Sequence, residues 1–133
     1  MTILLEEYIS GLELNASLAE AKAWVERTQL DSIIITDKGR LIGMLDAQFL
    51  KDEDFDQELN CLEDYINAYP EDVQQGAYIC MQDHIFNAAE AFSNVLNDHL
   101  AVVDHDHNYI GIRTRNDVLE ELSEFLNVSQ KGT

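Results

Sequence analysis

The chain is written twice. Leu5 to Ile9 reads LEEYI and Leu62 to Ile66 reads LEDYI, an offset of 57. Further along, Leu18, Ala21 and Trp24 are answered by Phe86, Ala89 and Phe92, and Gly43 by Gly111, all at an offset of 68. A repeat of this period is one supersecondary unit used twice. Roughly fifty ordered residues bury too little surface to offset their chain entropy, so the two copies are expected to complete each other's core. The growth of the offset from 57 to 68 puts eleven extra residues in the second copy, around Tyr69 to Gly76. Pro70 and Gly76 bracket that stretch, which reads as loop.

Within the first copy, Ser17 and Glu20 have the spacing of a capping box, and apolar Leu18, Ala21, Trp24 and Val25 follow at helical spacing. This predicts a helix from about 18 to 29. SIIIT (32–36), the turn Asp37-Lys38-Gly39 and RLIGML (40–45) then read as a β-hairpin. The second copy repeats the order: Phe86, Ala89, Phe92 and Leu96 on one helical face, then LAVVD, the polar turn HDHN, and YIGIR. A closing helix over Asn116 to Asn127 aligns Val118, Leu119, Leu122, Phe125 and Leu126 in an apolar stripe. Short strands near Leu12 to Leu14 and Tyr78 to Cys80 complete an α+β chain of two β-α-β-β-α repeats, expected to pack about a pseudo-twofold axis. The acidic run KDEDFDQEL (51–59) reads as a solvated connector, which divides the chain into repeat 1 (1–58) and repeat 2 (59–133).

Eight basic against 26 acidic residues give a formal net charge of −18. That field repels nucleic-acid phosphates and anionic lipid headgroups alike, so neither is an expected partner. Cys61 and Cys80 form no CxxC pattern, which fits a reducing compartment. MTILLEEYIS has no basic leader, and no apolar run is long enough to span a membrane. The expectation is a cytoplasmic protein.

The chemistry concentrates at the start of the last helix. A helix N-terminus offers unpaired backbone N–H groups and a partial positive charge that suit a phosphate, and Thr114 stands there. One carboxylate can accept from both hydroxyls of a ribose, a role open to Asp117 one turn inside the helix. Thr114 and Asp117 equally have the spacing of a capping box, with no ligand needed. Arg113 and Arg115 are two of only three cations after position 58, and a guanidinium binds phosphate bidentately; the other use of such arginines is ordinary surface pairing with acids such as Glu120. Asp104, His105, Asp106 and His107 are metal-ligand types, but consecutive turn residues do not converge on one ion, so no metal is expected. There is no nucleophile elbow, Walker loop, dinucleotide glycine motif or HExxH, and no catalytic residue is assigned.

The quoted segments NASLAEAKAWV, SIIITDKGRLIGML and LAVVDHDHNYIGIRTRNDVLEEL resemble a tandem pair of cystathionine-β-synthase (CBS) domains, a Bateman module. Gly111, Thr114 and Asp117 reproduce the family's G-x-x-T-x-x-D motif. The resemblance implies a regulatory module, not an enzyme, that binds AMP, ADP, ATP or S-adenosylmethionine between its copies without requiring a cofactor. It implies ribose binding by Asp117, phosphate binding near Thr114, and an adenine slot formed by Leu100, Ala101 and Tyr78. It also implies a homodimer and an effector protein that reads the bound state. The first copy departs from the motif, with Asp46 where Thr is expected and Phe49 where Asp is expected. Both copies lack the family's usual Pro at Ile34 and Ala101. The better-formed cleft is therefore expected on the second copy. A ligand-free interaction or dimerisation module is the alternative, and outward-facing apolar helix stripes would favour it.

Overall fold

A computed structural model describes residues 9–51 and 60–131 of the 133. The LEEYI segment, apart from Ile9, and residues 52–59 of the acidic connector lie outside this range. Chain contacts divide the protein into two compact units, Ile9–Gly76 and one beginning at Ala77.

In the first unit, β1 (Leu12–Glu13), α1 (Leu18–Thr28), β2 (Ser32–Asp37) and β3 (Arg40–Asp46) follow in order. Helix α1 starts where Ser17 Oγ accepts from Glu20 N at 3.0 Å, and it buries Leu18, Ala21 and Trp24. It ends at Gln29, whose left-handed backbone (φ 59°) lets its N–H donate to Val25 O. The hairpin turn is the two-residue kind that requires positive φ twice, met by Lys38 (54°) and Gly39 (84°). Strand β2 is central, with β1 parallel on one side and β3 antiparallel on the other. Its Ile33, Ile34 and Ile35 are fully buried, the continuous apolar run of a strand covered on both faces.

A five-residue 3₁₀ turn (Ala47–Lys51) follows β3, and α2 (Leu62–Ala68), a short 3₁₀ turn (Pro70–Asp72) and β4 (Val73–Gln74) complete the unit. The compact units therefore meet between Gly76 and Ala77, not between residues 58 and 59. The reason is in the backbone. Leu62 N donates to Ala16 O and Glu63 N to Leu14 O, each at 2.9 Å, fastening the start of α2 to the first repeat. The expected loop at 69–76 in fact supplies an edge strand, with Met44 opposite Gln74 and Leu45 opposite Val73. Gly43 makes room for it: a Cβ there would stand 2.7 Å from Val73 Cγ1 and 3.0 Å from Gln74 O.

The second unit contains β5 (Tyr78–Cys80), α3 (Ile85–Ser93), β6 (His99–Val103), β7 (Tyr109–Thr114) and α4 (Arg115–Lys131). Its sheet runs β5-β6-β7, β5 parallel and β7 antiparallel to a wholly buried β6. The two units repeat the same β-α-β-β path, but not at one offset. The N-caps Ser17 and His84, the buried Ala21 and Ala88, and the β-bulges after Ile35 and Val102 all stand 67 positions apart. The offset becomes 68 only past the turn, which is one residue longer in the second copy. The buried face of α3 is thus Ala88 and Phe92, while Phe86 faces outward and Leu96, beyond the helix, is 99% exposed. Of the stripe expected on α4, Val118 is buried; Leu119, Phe125 and Leu126 are exposed.

Candidate functional site

Strand β7 passes directly into α4. Thr114 is the last strand residue, and its Oγ1 accepts from Asp117 N at 3.1 Å, capping the helix. The junction is held from below by Arg115 N, which donates to Asp98 O at 2.7 Å. In the β6–β7 ladder Thr114 stands opposite His99 and Arg113 opposite Leu100.

Arg113 is buried. Its Nε donates to Asp117 Oδ2 at 2.6 Å and its Nη1 to Glu121 Oε2 at 3.0 Å. Burial alone would lower the guanidinium pKa; the bonds to Asp117 and Glu121 outweigh it and the net shift is upward. The side chain of Asp117 therefore does not reach back as the second half of a capping box: it turns to Arg113. Arg115 is committed as well. Its Nη1 donates to Phe92 O at 3.1 Å, its Nη2 to Val95 O and Asn97 O at 2.8 Å each, and its guanidinium lies 5.2 Å from the Phe92 ring centroid. It ties the C-terminal end of α3, where Phe92 O also accepts from Val95 N, to the segment that follows it. Both arginines expected to meet phosphate thus have internal partners.

Of the residues expected around adenine, Leu100 and Ala101 are fully buried in β6. Tyr78 is half-buried beside Ala101, but its ring packs edge-on against His107 at 4.8 Å, at the turn end of the hairpin, opposite to Thr114. The structure brings Arg113, Thr114, Asp117 and Leu100 to one corner, and Tyr78 to another.

The family model of the CBS domain matches residues 77–124, the span that carries this corner. This unit is a CBS domain. Solved structures extend the likeness to both units of the chain. A CBS domain pair/ACT domain protein from Thermotoga maritima superposes with a TM-score of 0.70 at 21% identity, covering 94% of this chain and 99% of its own. CBSX2, solved in complex with AMP, gives 0.65 at 17% identity, covering 88% of this chain and 89% of its own. The cytosolic domain of the Mg²⁺ channel MgtE, solved with ATP, gives 0.65 at 21%, covering 86% of this chain and 44% of its own. The fold is that of a CBS domain pair. A comparison with curated proteins finds no match.

The pair is unequal at the strand-to-helix corner. By ladder register, Leu45, Asp46 and Phe49 of the first unit occupy the places of Arg113, Thr114 and Asp117 in the CBS domain. Asp46 Oδ1 accepts from Gln48 N at 2.8 Å, a cap like that of Thr114. Phe49, however, stacks on Tyr65 of α2 with centroids 4.0 Å apart, and Tyr65 packs on Tyr69 at 4.9 Å. Tyr65 Oη donates to Asp72 Oδ2 at 2.9 Å, and burial followed by that carboxylate pushes the phenol pKa well up. The place that Asp117 holds in the CBS domain is taken by packing. Shallow depressions of about 220 Å³ at Leu12, Glu20, Ala23, Trp24 and Arg27 and about 190 Å³ at Val25, Leu30, Asp31, Asp46, Ala47 and Gln48 also lie on the first unit, away from the corner residues of the CBS domain.

The Asp- and His-rich turn of the CBS domain is explained by its backbone. Asp104 Oδ1 accepts from Asp106 N at 2.9 Å and Asn108 N at 3.0 Å, while Oδ2 accepts from Asn108 Nδ2. The Asn108 backbone bond chiefly holds the Asp104 carboxyl below its usual range. Among the described residues no three His, Cys, Asp or Glu side chains stand where they could share a metal ion, and no helix is long and apolar enough to cross a membrane. Glu121, the second acid on Arg113, is the neighbour of this corner that sequence reasoning missed. Its signal was its place four residues after Asp117, on the same helix face and within reach of the same cation.

Proposed function

We propose that the chain is a regulatory ligand-sensing module whose CBS domain binds an adenosine-containing molecule at the β7–α4 corner. The observation that carries this is the Gly111, Thr114, Asp117 motif placed at a strand-to-helix junction, with the Asp117 carboxylate anchored through Oδ2 by a buried guanidinium. An acid fixed in that way accepts from paired ribose hydroxyls without first losing side-chain entropy. Thr114 and the first turn of α4 would face phosphate or another polar substituent. Leu100 and Ala101, where the β5 ladder begins only at Ala101, would offer backbone groups to the adenine edge. Relatives of the same fold solved with AMP and ATP support the ligand class.

With both arginines turned inward and a net charge of −18, a long polyphosphate finds little to compensate it. The expected order is S-adenosylmethionine or AMP ahead of ADP and ATP, the gap closing as salt rises. Thermal-shift and calorimetric titration with all four ligands tests this reading. A ligand selective for the folded state raises stability by about 2.7 kcal/mol at a hundred times its Kd. Asp117→Asn, checked for folding by circular dichroism, should abolish the shift. A midpoint unmoved by all four at millimolar concentration, or a shift that survives Asp117→Asn, overturns the assignment.

A further inference from the structure

The two units differ in what fills one place behind the strand-to-helix corner. In the CBS domain that place holds the side chain of Arg115. Its backbone N–H donates to Asp98 O at 2.7 Å, while its guanidinium donates to Phe92 O, Val95 O and Asn97 O and lies 5.2 Å from the Phe92 ring centroid. In the first unit Ala47 N donates to Asp31 O at 2.8 Å, and Ser32 stands opposite Asp46 as His99 stands opposite Thr114. Ala47 therefore holds the place of Arg115, and Val25, 67 positions before Phe92, holds the place of the ring. Both members of the cation–ring pair are small here. The space they give up is open: the depression of about 190 Å³ is lined by Val25, Leu30, Asp31, Asp46, Ala47 and Gln48.

The lining suits a cation. Asp98 and Thr114, which flank Arg115 in the CBS domain, become Asp31 and Asp46, so a second carboxylate replaces a hydroxyl. Both acids are exposed, and neither is paired with a cation among the described residues. Asp46 spends Oδ1 on Gln48 N at 2.8 Å and keeps Oδ2 to offer. Helix α1 ends beside the depression, and the partial negative charge of a helix C-terminus adds to the two acids. The carbonyl part of the site is not copied: α1 runs on to Thr28, and Val25 O, the counterpart of Phe92 O, accepts from Gln29 N. The two carboxylates take over as acceptors. A guanidinium presents a planar fork of donors to such a pair, and its alkyl stem packs on side chains such as Val25 and Leu30. We propose that this depression receives the arginine side chain of a partner protein, which supplies from outside what Arg115 supplies from within. Free arginine fits less well, because its α-carboxylate would enter the field of a chain carrying −18.

The test is an NMR titration of the full chain with Nα-acetyl-arginine methylamide, with the lysine analogue as comparison, at about 0.15 M salt so that distant charges are screened. The arginine probe should move the backbone amides of Leu30, Ala47 and Gln48 and bind at least about fivefold more tightly than the lysine probe, since only the guanidinium offers a fork. Free L-arginine should bind more weakly than the arginine probe. Ala47→Arg fills the depression from within and should abolish the response. Asp31→Asn/Asp46→Asn keeps a side-chain oxygen for Gln48 N and should weaken the arginine probe at least about fivefold, which reads the site where Ala47→Arg fails to fold. Equal binding of the two probes would show bulk charge alone and overturn the proposal. No movement of the three amides would do the same, as would a variant that folds and binds as the parent does. Tighter binding of free L-arginine than of the arginine probe would overturn it as well, by making the amino acid itself the ligand.

Discussion

Replacing Arg113 by Met measures what the buried cation holds together. The Arg113 side chain is 2% exposed, whereas Asp117 and Glu121 are 32% and 36% exposed. Removing one member of a buried ion pair costs about 3–5 kcal/mol when the other is left dry. Here the two surviving acids reach water, and Met keeps the packing of the arginine stem, so the expected loss falls to about 2 kcal/mol. For a chain of this size that is a drop in midpoint of roughly 6–10 °C. Urea unfolding followed by far-UV circular dichroism reads it, with the m-value unchanged. Trp24, the single tryptophan, lies in the first unit, so its fluorescence supplies an internal comparison. If the units unfold together, both signals shift; if they unfold separately, the tryptophan transition stays in place. Arg113→Met/Asp117→Asn/Glu121→Gln leaves no unpaired charge and should recover most of the loss. A single Arg113→Met variant within about 0.5 kcal/mol of the parent would refute the reasoning, because that is the range of a surface substitution.

Three further outcomes are expected. Gly43→Ala drives a Cβ to 2.7 Å from Val73 Cγ1 and 3.0 Å from Gln74 O, so β4 must shift; the loss should be about 1–3 kcal/mol by urea titration, with amide exchange raised at Val73 and Gln74. The Glu13 carboxyl is held below 4.5, chiefly by the hydroxyl of Thr36 and then by the backbone N–H groups of Lys38 and Gly39. A lowered folded pKa contributes stability that is present above the unfolded value and lost as pH falls through the folded one, so Glu13→Gln should flatten the decline of stability below about pH 4.5. Phe49→Asp removes a ring stacked at 4.0 Å on Tyr65 and sets a carboxylate where no arginine meets it, and should cost about 1–3 kcal/mol by the same titration while conferring no nucleotide binding in calorimetry.

The periodic elements were legible because local physics alone decides them. Ser17 caps α1, Lys38-Gly39 makes the two-residue turn, and the centres of the buried strands, Ile33 to Ile35 in β2 and Leu100 to Val103 in β6, are continuously apolar. The register of α3 was not legible in the same way. Matching Leu18 to Phe86 by hydrophobicity assumes one offset, whereas the extra residue of the second copy sits later, in the Asp104–Asn108 turn where His107 takes φ 68°. Edge strand β4 is two residues long and depends on the absent side chain of Gly43 across the ladder, a contact that no local pattern records. The arginines were visible as a cluster, but their direction was not. An arginine flanking a helix start can face a ligand or its own fold, and only the positions of Glu121 and the last carbonyls of α3 decide between them.

The inequality of the two units follows from the same pairing. Leu45 and Phe49 occupy the positions of Arg113 and Asp117, four residues apart at the same corner, and each pair is internally consistent: apolar with apolar, cation with anion. The mixed pairs are not. Arginine at 45 opposite Phe49 would bury an uncompensated guanidinium, since Leu45 itself is fully buried, and aspartate at 49 beside Leu45 would lack its anchor. The two positions therefore amount to one choice, made at the end of the strand and expressed one turn into the helix. A corner that places leucine in the strand gives up the fixed carboxylate and gains a packing site, which Tyr65 fills; a corner that places arginine there keeps the carboxylate in position before any ligand arrives.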